Sequence, residues 1–263
     1  MKKFLVIGNP IDHSLSPKIH NYWIKKFNLK AEYSKKNLKK EEISDIINEI
    51  RKENINGINI TVPFKKTVLP FLDELTPLAK SAQSVNTIFK KDGKIFGDNT
   101  DVSGFEQAIE HIKYKIKNKK ILILGAGGVV PSIILALKRL GVSNIFISNR
   151  TIEKAYEIKK THKELEIIEW NKMVDFDVII NATSLGLKKN DIISLDFDGL
   201  KKGKLFYDVI YNPIKTNFLL KGEELGNQIE NGKMMFIYQA HQAFTLWHKI
   251  MPKIDDETIE LLD

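Results

Sequence analysis

Two sets of residues in this 263-residue chain have the types and spacing to do chemistry. The first is a run of small polar groups at the ends of strand-like segments: Ser14 and Ser16, Asn59 and Thr61, Lys65, Asn86 and Thr87, then Asn99, Thr100 and Asp101. Hydroxyls and amides in number, with one cation and one carboxylate, suit a ligand that is rich in hydroxyls and bears an acid. Each residue also has a plain structural reading. Ser16 could cap a helix, Asn86 and Thr87 could shape a turn, Asp101 could cap the helix it opens, and Lys65 is one of many lysines.

The second set is Gly125-Ala126-Gly127-Gly128, which follows the apolar run Ile121 to Leu124 and opens an apolar helix pattern from Val129 to Leu140. Gly141 stops that helix, and Ile145 to Ile147 is a second strand. Glycines between a strand and a helix let backbone N–H groups approach a pyrophosphate at the helix N-terminus. The end of the second strand distinguishes the cofactor. An NAD site usually carries an acid there for the ribose 2′-hydroxyl. This chain has Ser148-Asn149-Arg150-Thr151 instead. Arg is planar, always charged and suited to bidentate phosphate binding, which favours the 2′-phosphate of NADP. It is also scarce: of 41 basic residues only Arg51, Arg139 and Arg150 are Arg.

The elements that must position these groups alternate along the chain. Phe4 to Ile7 reads as a strand closed by Gly8-Asn9-Pro10, and Pro17 suits the first turn of a helix to about Asn28, with Ser16 as its N-cap. Ala31 to Leu38 is strand-like. Glu41 to Lys52 is an amphipathic helix with Ile43, Ile46, Ile47 and Ile50 on one face. Gly57 to Val62 is a strand stopped by Pro63, and Val85 to Phe89 with Lys94 to Phe96 forms a hairpin around Asp92-Gly93. A helix from Asp101 to about Ile112 leads into the glycine unit. Asp177 to Asn181 and Lys204 to Val209 are further strands, and the chain is helical from about Asn231. This alternation predicts an α/β protein with mostly parallel sheets and helices on both faces. It has two lobes: an N-terminal α/β substrate domain, residues 1–101 completed by 236–263, and a Rossmann-like nucleotide domain, residues 102–235. The ligands are expected outside the carboxyl ends of the strands.

Composition narrows the chemistry further. The chain has no Cys, so disulfides, iron–sulfur clusters, thiolate zinc sites and Cys nucleophiles are excluded. Its six His show no metal-binding spacing. The net charge of +8 is carried almost wholly by dispersed Lys, which reads as a solvated surface rather than a nucleic-acid face. No apolar run reaches membrane-spanning length, and no signal-peptide pattern precedes the first strand. A cytoplasmic protein without nucleic-acid or membrane partners, monomeric or homodimeric, is expected.

Taken in order, Ser14-Leu15-Ser16-Pro17, Asn59-Ile60-Thr61-Val62-Pro63-Phe64-Lys65, Val85-Asn86-Thr87, Asn99-Thr100-Asp101, the glycine turn and Asn149-Arg150-Thr151 form a recognisable series. It continues in Asn181-Ala182-Thr183-Ser184-Leu185-Gly186, Asp208-Val209-Ile210-Tyr211-Asn212-Pro213, Asn231-Gly232 and Gln239-Ala240-His241-Gln242-Ala243-Phe244. In order and spacing the whole chain resembles the shikimate dehydrogenase family. The resemblance implies reversible NADPH reduction of 3-dehydroshikimate to shikimate, a step toward chorismate and the aromatic amino acids. It implies Lys65 and Asp101 as the catalytic pair, and Ser14, Ser16, Asn59, Thr61, Asn86, Tyr211 and Gln239 as substrate-binding residues, with Asp101 also touching substrate. It implies an NADP site built from Gly125, Ala126, Gly127, Gly128 and Val129, with Asn149, Arg150, Thr151, Lys154, Val209 and Gly232. It further implies that the C-terminal helices return to the first lobe. No Arg lies near Ser14 and Ser16, so serine hydroxyls, helped by Tyr211, would bind the substrate carboxylate. Val129-Val130-Pro131 is bulkier than the small residues common after the family's glycines, although Pro is compatible with a first helical turn.

Three alternatives stay open on sequence alone: a quinate or mixed quinate/shikimate enzyme using NAD, a non-catalytic NADP-binding regulator, and, on charge alone, a nucleic-acid binder. Arg150 addresses the first. Arg150→Ala is expected to weaken NADP binding by roughly ten- to 150-fold, the worth of a charge-assisted hydrogen bond, and NAD binding far less. Titrating both cofactors into both proteins checks this; equal losses would show that Arg150 does not read the 2′-phosphate.

Overall fold

The computed structural model describes all 263 residues. They divide into two compact units, Met1–Gln107 with Ile237–Asp263, and Ala108–Phe236. The first unit contains β1 (Lys2–Gly8), α1 (Ser16–Lys26), β2 (Ala31–Asn37), α2 (Ile43–Arg51), β3 (Gly57–Ile60), β4 (Glu74–Leu75), α3 (Pro77–Ala82), β5 (Thr87–Lys91) and β6 (Lys94–Asp98). Helix α4 (Thr100–His111) starts in this unit. The sequence reading put the boundary after residue 101; the unit extends to Gln107, and Val102 and Phe105 in this stretch are fully buried.

The sheet order is β2-β1-β3-β5-β6-β4. It is mixed, with three of its five pairings parallel, so the expected mostly parallel arrangement holds with one antiparallel strand set into it. β1 pairs parallel with β2 and β3, and β4 with β6, but β5 runs antiparallel to both β3 and β6. For β5 and β6 the reason is local. Asp92 (φ 49°) and Gly93 (φ 77°) both take left-handed backbone angles, as a two-residue hairpin turn requires, and that turn reverses the chain.

One face of this sheet is aliphatic. Ile7, Ile58, Ile60, Ile88 and Ile95 pack with Ile43, Ile46, Ile47 and Ile50 of α2, the four residues whose spacing marked that helix. The other face is aromatic. Phe4 lies opposite both Tyr33 and Gly57 in the strand register. It meets Trp247 of α8 (Lys233–His248) at 5.0 Å between ring centroids, and Trp23 of α1 meets Phe244 of α8 at 5.4 Å. The last helix is α9 (Asp256–Glu260), capped by Asp255, whose side chain accepts from Thr258 N–H.

The second unit holds β7 (Lys120–Leu124), α5 (Val130–Arg139), β8 (Asn144–Ser148), α6 (Ile152–Thr161), β9 (Glu166–Ile168), β10 (Val178–Asn181), β11 (Leu205–Asp208), α7 (Asn217–Glu224) and β12 (Gln228–Glu230). All five strand pairings are parallel, in the order β12-β11-β10-β7-β8-β9. Counted from β7, this is the doubly wound order of dinucleotide-binding folds, with its switch point between β7 and β10. Every residue of β10 and β11, and Ile121–Leu124 of β7, is buried, so these strands read as unbroken apolar runs rather than alternating ones. Val130 and Pro131 are accommodated as buried residues in the first turn of α5.

Gly57 allows the aromatic face to close. A Cβ there would run into the Trp247 indole, whose Nε1 donates to the Ile88 carbonyl at 3.2 Å. Gly57→Ala is therefore expected to destabilise by about 1–3 kcal/mol, the usual range for overpacking. Urea unfolding of the two proteins measures this, and a stability unchanged within error would show that the indole yields freely.

Candidate active site

Lys65 and Asp101 form a buried ion pair. The Lys65 Nζ to Asp101 Oδ2 distance is 2.5 Å, and the side chains are only 9% and 7% exposed. Lys65 follows the turn after β3, where Phe64 N–H donates to Thr61 C=O, and its own carbonyl accepts from Val85 N–H. Asp101 sits in the first turn of α4. It is not the cap of that helix. Asn99 Oδ1 accepts from Val102 N–H at 3.2 Å, while Asn99 Nδ2 donates to the Ser84 carbonyl at 2.8 Å. Asp101 is thereby left for other work, and its second oxygen accepts from Asn86 Nδ2 at 2.8 Å.

Asn86 is the hub of this cluster. Its Oδ1 accepts from Thr100 N–H at 2.8 Å, and its Nδ2 also lies 2.9 Å from Thr100 Oγ1 and 3.5 Å from Gln239 Oε1. Asn59 and Thr87 face each other across β3 and β5, and Asn59 Nδ2 donates to Thr87 Oγ1 at 3.0 Å. The residues Lys65, Asp101, Asn86, Asn59 and Gln239 are thus joined in one polar cluster of the first unit.

Ser14 and Ser16 lie at the start of α1. Ser16 is not the N-cap, as the sequence suggested; Leu15 holds that position, and Ser14 Oγ accepts from Ser16 N–H at 3.3 Å. Pro17 places Ser16 at the very start of the helix, so its hydroxyl is free of capping duty. Thr61 donates its N–H to the Ile7 carbonyl and leaves its side chain half-buried. Tyr211 belongs to the second unit, where its ring packs on Phe236 at 4.5 Å. The sequence reading missed Tyr33, whose hydroxyl donates to Asn59 Oδ1 at 2.7 Å. An aromatic residue in a strand reads as core, and only the register brings it beside Asn59.

In the second unit the glycine turn lies at the switch point. Gly125 has φ +107°, and a Cβ there would come within 2.8 Å of the Ala182 carbonyl after β10. Glycine is required on both counts. At Gly127 the only atom within 4 Å of such a Cβ is that carbonyl, at 3.8 Å, so the turn is open on this side. Ala126, Gly128 and Val129 complete the turn into α5. At the end of β8, Asn149 Nδ2 donates to Thr151 C=O at 2.7 Å and folds the loop tightly. Arg150 and Lys154 are exposed cations, one in this loop and the other in the first turn of α6. Gly232 lies against Val209, whose carbonyl a Cβ would strike, and donates its N–H to the Ile210 carbonyl at 3.1 Å. An open glycine turn at a helix start and two free cations after the second strand fit a dinucleotide bearing a 2′-phosphate. No group of three or more His, Asp or Glu side chains is placed to hold a metal ion.

Asp208 organises the loops beyond β10 and β11. Its carboxylate accepts from Asn181 Nδ2 at 3.0 and 3.1 Å, from Thr216 Oγ1 at 2.6 Å and from Ile210 N–H at 3.0 Å. Burial pushes its pKa up to about 6 despite these donors.

The fold and the glycine turn define a dinucleotide-binding α/β dehydrogenase whose separate α/β unit carries a buried Lys–Asp pair. Comparison with known proteins defines it further. Residues 6–88 match the shikimate dehydrogenase substrate binding domain, and residues 106–194 match the shikimate / quinate 5-dehydrogenase domain. The chain is 60% identical over 262 residues to the NADP(+) shikimate dehydrogenase of Pelagibacter ubique, covering 100% of this chain and 99% of that protein. The crystal structure of Aquifex aeolicus shikimate dehydrogenase superposes with a TM-score of 0.91 at 34% identity, covering 100% of this chain and 97% of that one. The Thermus thermophilus enzyme, solved with NADP(H) and shikimate, gives a TM-score of 0.90 at 29% identity over 100% and 98%. The chain belongs to the shikimate dehydrogenase family.

The buried Asp208 gives a pH signature. Its folded pKa is above the ordinary carboxyl value of 3.8, so its contribution to stability is fully present below about pH 4 and is lost as pH rises through 6. Asp208→Asn mimics the protonated form. The variant's stability relative to the natural protein is expected to improve between pH 4 and pH 8, by about 3 kcal/mol at most. Urea unfolding across that range checks this, and a pH-independent difference would show that Asp208 ionises normally.

Proposed function

We propose that this protein catalyses the NADP-dependent, reversible interconversion of 3-dehydroshikimate and shikimate, with Lys65 and Asp101 as its catalytic residues. The observation that carries the reading is the buried Lys65–Asp101 pair, fixed on both carboxylate oxygens, in a chain of this family. NADPH, when bound, supplies the hydride that reduces the ketone. Lys65 donates a proton to the oxygen that becomes the alcohol, and Asp101 holds the ammonium in position and accepts from a substrate hydroxyl. A proton donor of this kind is typically worth about 10²–10⁴-fold in rate.

Ser14, Ser16, Thr61, Asn86 and Gln239 line the substrate with hydroxyl and amide groups, Asn59 offers its remaining acceptor valence, and Tyr211 is a further proposed ligand. No Arg stands among them, so the substrate carboxylate is met by neutral donors, and Lys65 remains the one cation at the reacting end. Gly125 through Val129, with Val209 and Gly232, receives the pyrophosphate and nicotinamide portions of NADP. Asn149, Arg150, Thr151 and Lys154 take the adenosine 2′-phosphate. We further propose that the enzyme works in the cytoplasm as a monomer or homodimer.

Mixing the protein with NADP and shikimate should produce the NADPH absorbance band, and quinate or NAD in place of either partner should give much less. Lys65→Ala is expected to lower kcat by at least about a hundredfold with little change in KM for shikimate. A large KM rise with near-normal kcat would make Lys65 a binding residue and remove it from the proton transfer.

A further inference from the structure

Beneath the polar cluster lies a residue that the proposed mechanism does not use. Tyr33, on the edge strand β2, is 3% exposed. Its backbone is pinned on the open edge by Asn21 of α1, which donates to the Tyr33 carbonyl at 2.7 Å and accepts from its N–H at 2.9 Å. Its ring lies flat on the buried His20 imidazole, with centroids 4.2 Å apart and planes 3° from parallel. Both ring nitrogens of His20 lack a hydrogen-bond partner, so the imidazole serves as a flat packing surface. Backbone and ring are thus both fixed, and the hydroxyl is delivered to one place.

There it meets a candidate substrate ligand. The hydroxyl donates to Asn59 Oδ1 at 2.7 Å. The phenol has one proton, and Asn59 takes it. Asn59 cannot turn over, because its Nδ2 donates to the Asn86 carbonyl at 3.1 Å and to Thr87 Oγ1 at 3.0 Å. Rotating the amide would set Oδ1 against the Asn86 carbonyl. With both amide protons committed, Asn59 can meet a ligand only as an acceptor, through the second lone pair of Oδ1. Thr87 Oγ1 also lies 3.1 Å from Asn86 Oδ1, and Asn86 holds Asp101, so the chain of contacts runs from Tyr33 to the Lys65–Asp101 pair.

We propose that Tyr33 is a positioning residue for the substrate: its hydroxyl fixes the orientation of Asn59, so that Asn59 presents an acceptor to a hydroxyl of a polyhydroxylated acid. The inference rests on the reading of these residues as substrate ligands given above. Tyr33 touches no substrate itself.

The test is Tyr33→Phe, which keeps the ring on His20 and removes only the hydroxyl. KM for shikimate is expected to rise about tenfold, the worth of one hydrogen bond, with kcat within about twofold and KM for NADP unchanged. Repeating the substitution in an Asn59→Ala background separates positioning from packing. If Tyr33 acts through Asn59, its effect should shrink to about twofold or less there. An unchanged shikimate KM, an equal multiplicative effect in both backgrounds, or a parallel rise in the NADP KM would overturn the proposal. The natural protein is assayed alongside. Shikimate-dependent NADPH formation by that protein with an indifferent Tyr33→Phe refutes the role of Tyr33 alone. No such formation refutes the functional reading, and the role of Tyr33 falls with it.

Discussion

An ammonium and a carboxylate taken out of water together lose several kcal/mol of hydration each, and their attraction compensates only where geometry and further hydrogen bonds are good. The Lys65–Asp101 pair meets that condition through its surroundings. Asn86 satisfies the second carboxylate oxygen, and Asn86 is held in turn by Thr100 N–H. Asn99 takes over the capping of α4, so the helix does not compete for the carboxylate. The start of α4 also places the positive end of its dipole at the Asp101 carboxylate. Three consecutive residues, Asn99, Thr100 and Asp101, thus divide the labour of ending a strand, starting a helix and holding a charge. Shifting any one of them by a position would leave a buried polar group unpaired.

The second unit answers a different constraint. A parallel sheet buried on both faces has its reactive edge only where the strand order reverses. At that edge the backbone after β7 and the backbone after β10 come so close that Gly125 has no room for a side chain. The same crowding recurs beyond β11, where Gly232 lies against the Val209 carbonyl. Asp208 ties three segments together at this edge: Asn181 at the end of β10, Ile210 after β11 and Thr216 at the start of α7. A buried carboxyl is a costly tie, and its raised pKa is the measure of that cost. Three donors on one group fix loops that no apolar contact could hold at the polar end of a sheet.

Much of this was legible in the sequence because it is local. The α2 stripe is a spacing of four isoleucines, the hairpin is Asp92-Gly93, and the glycine turn stands between a recognisable strand and helix. The proposed pairing of Lys65 and Asp101 rests on the order of motifs along the whole chain, and the structure brings the two side chains together. What was not legible depends on partners distant in the chain. Three polar residues in a row could each have capped α4, and only the hydrogen bonds show that Asn99 does so. Ser16 beside a proline looked like a cap, yet Pro17 shifts the helix start so that Ser16 is already inside it. The sense of β5 against β3 follows from long-range pairing that no spacing records. Tyr33 lies 26 residues from Asn59 in the chain and reads as core until the strands are set in register.

The absence of Arg from the polar cluster has a physical consequence. An Arg placed to bind the substrate carboxylate would put five donors and a permanent charge near Asp101. Asp101 could then pair with it instead of Lys65, and a buried, unpaired ammonium is strongly disfavoured. Neutral donors avoid this competition. A hydroxyl or amide strengthens a carboxylate contact without offering Asp101 a second cation. The cost is that each neutral donor contributes less, so several must be aimed together. The proposed 2′-phosphate loop holds no buried ion pair, and there an exposed Arg150 competes with nothing of that kind.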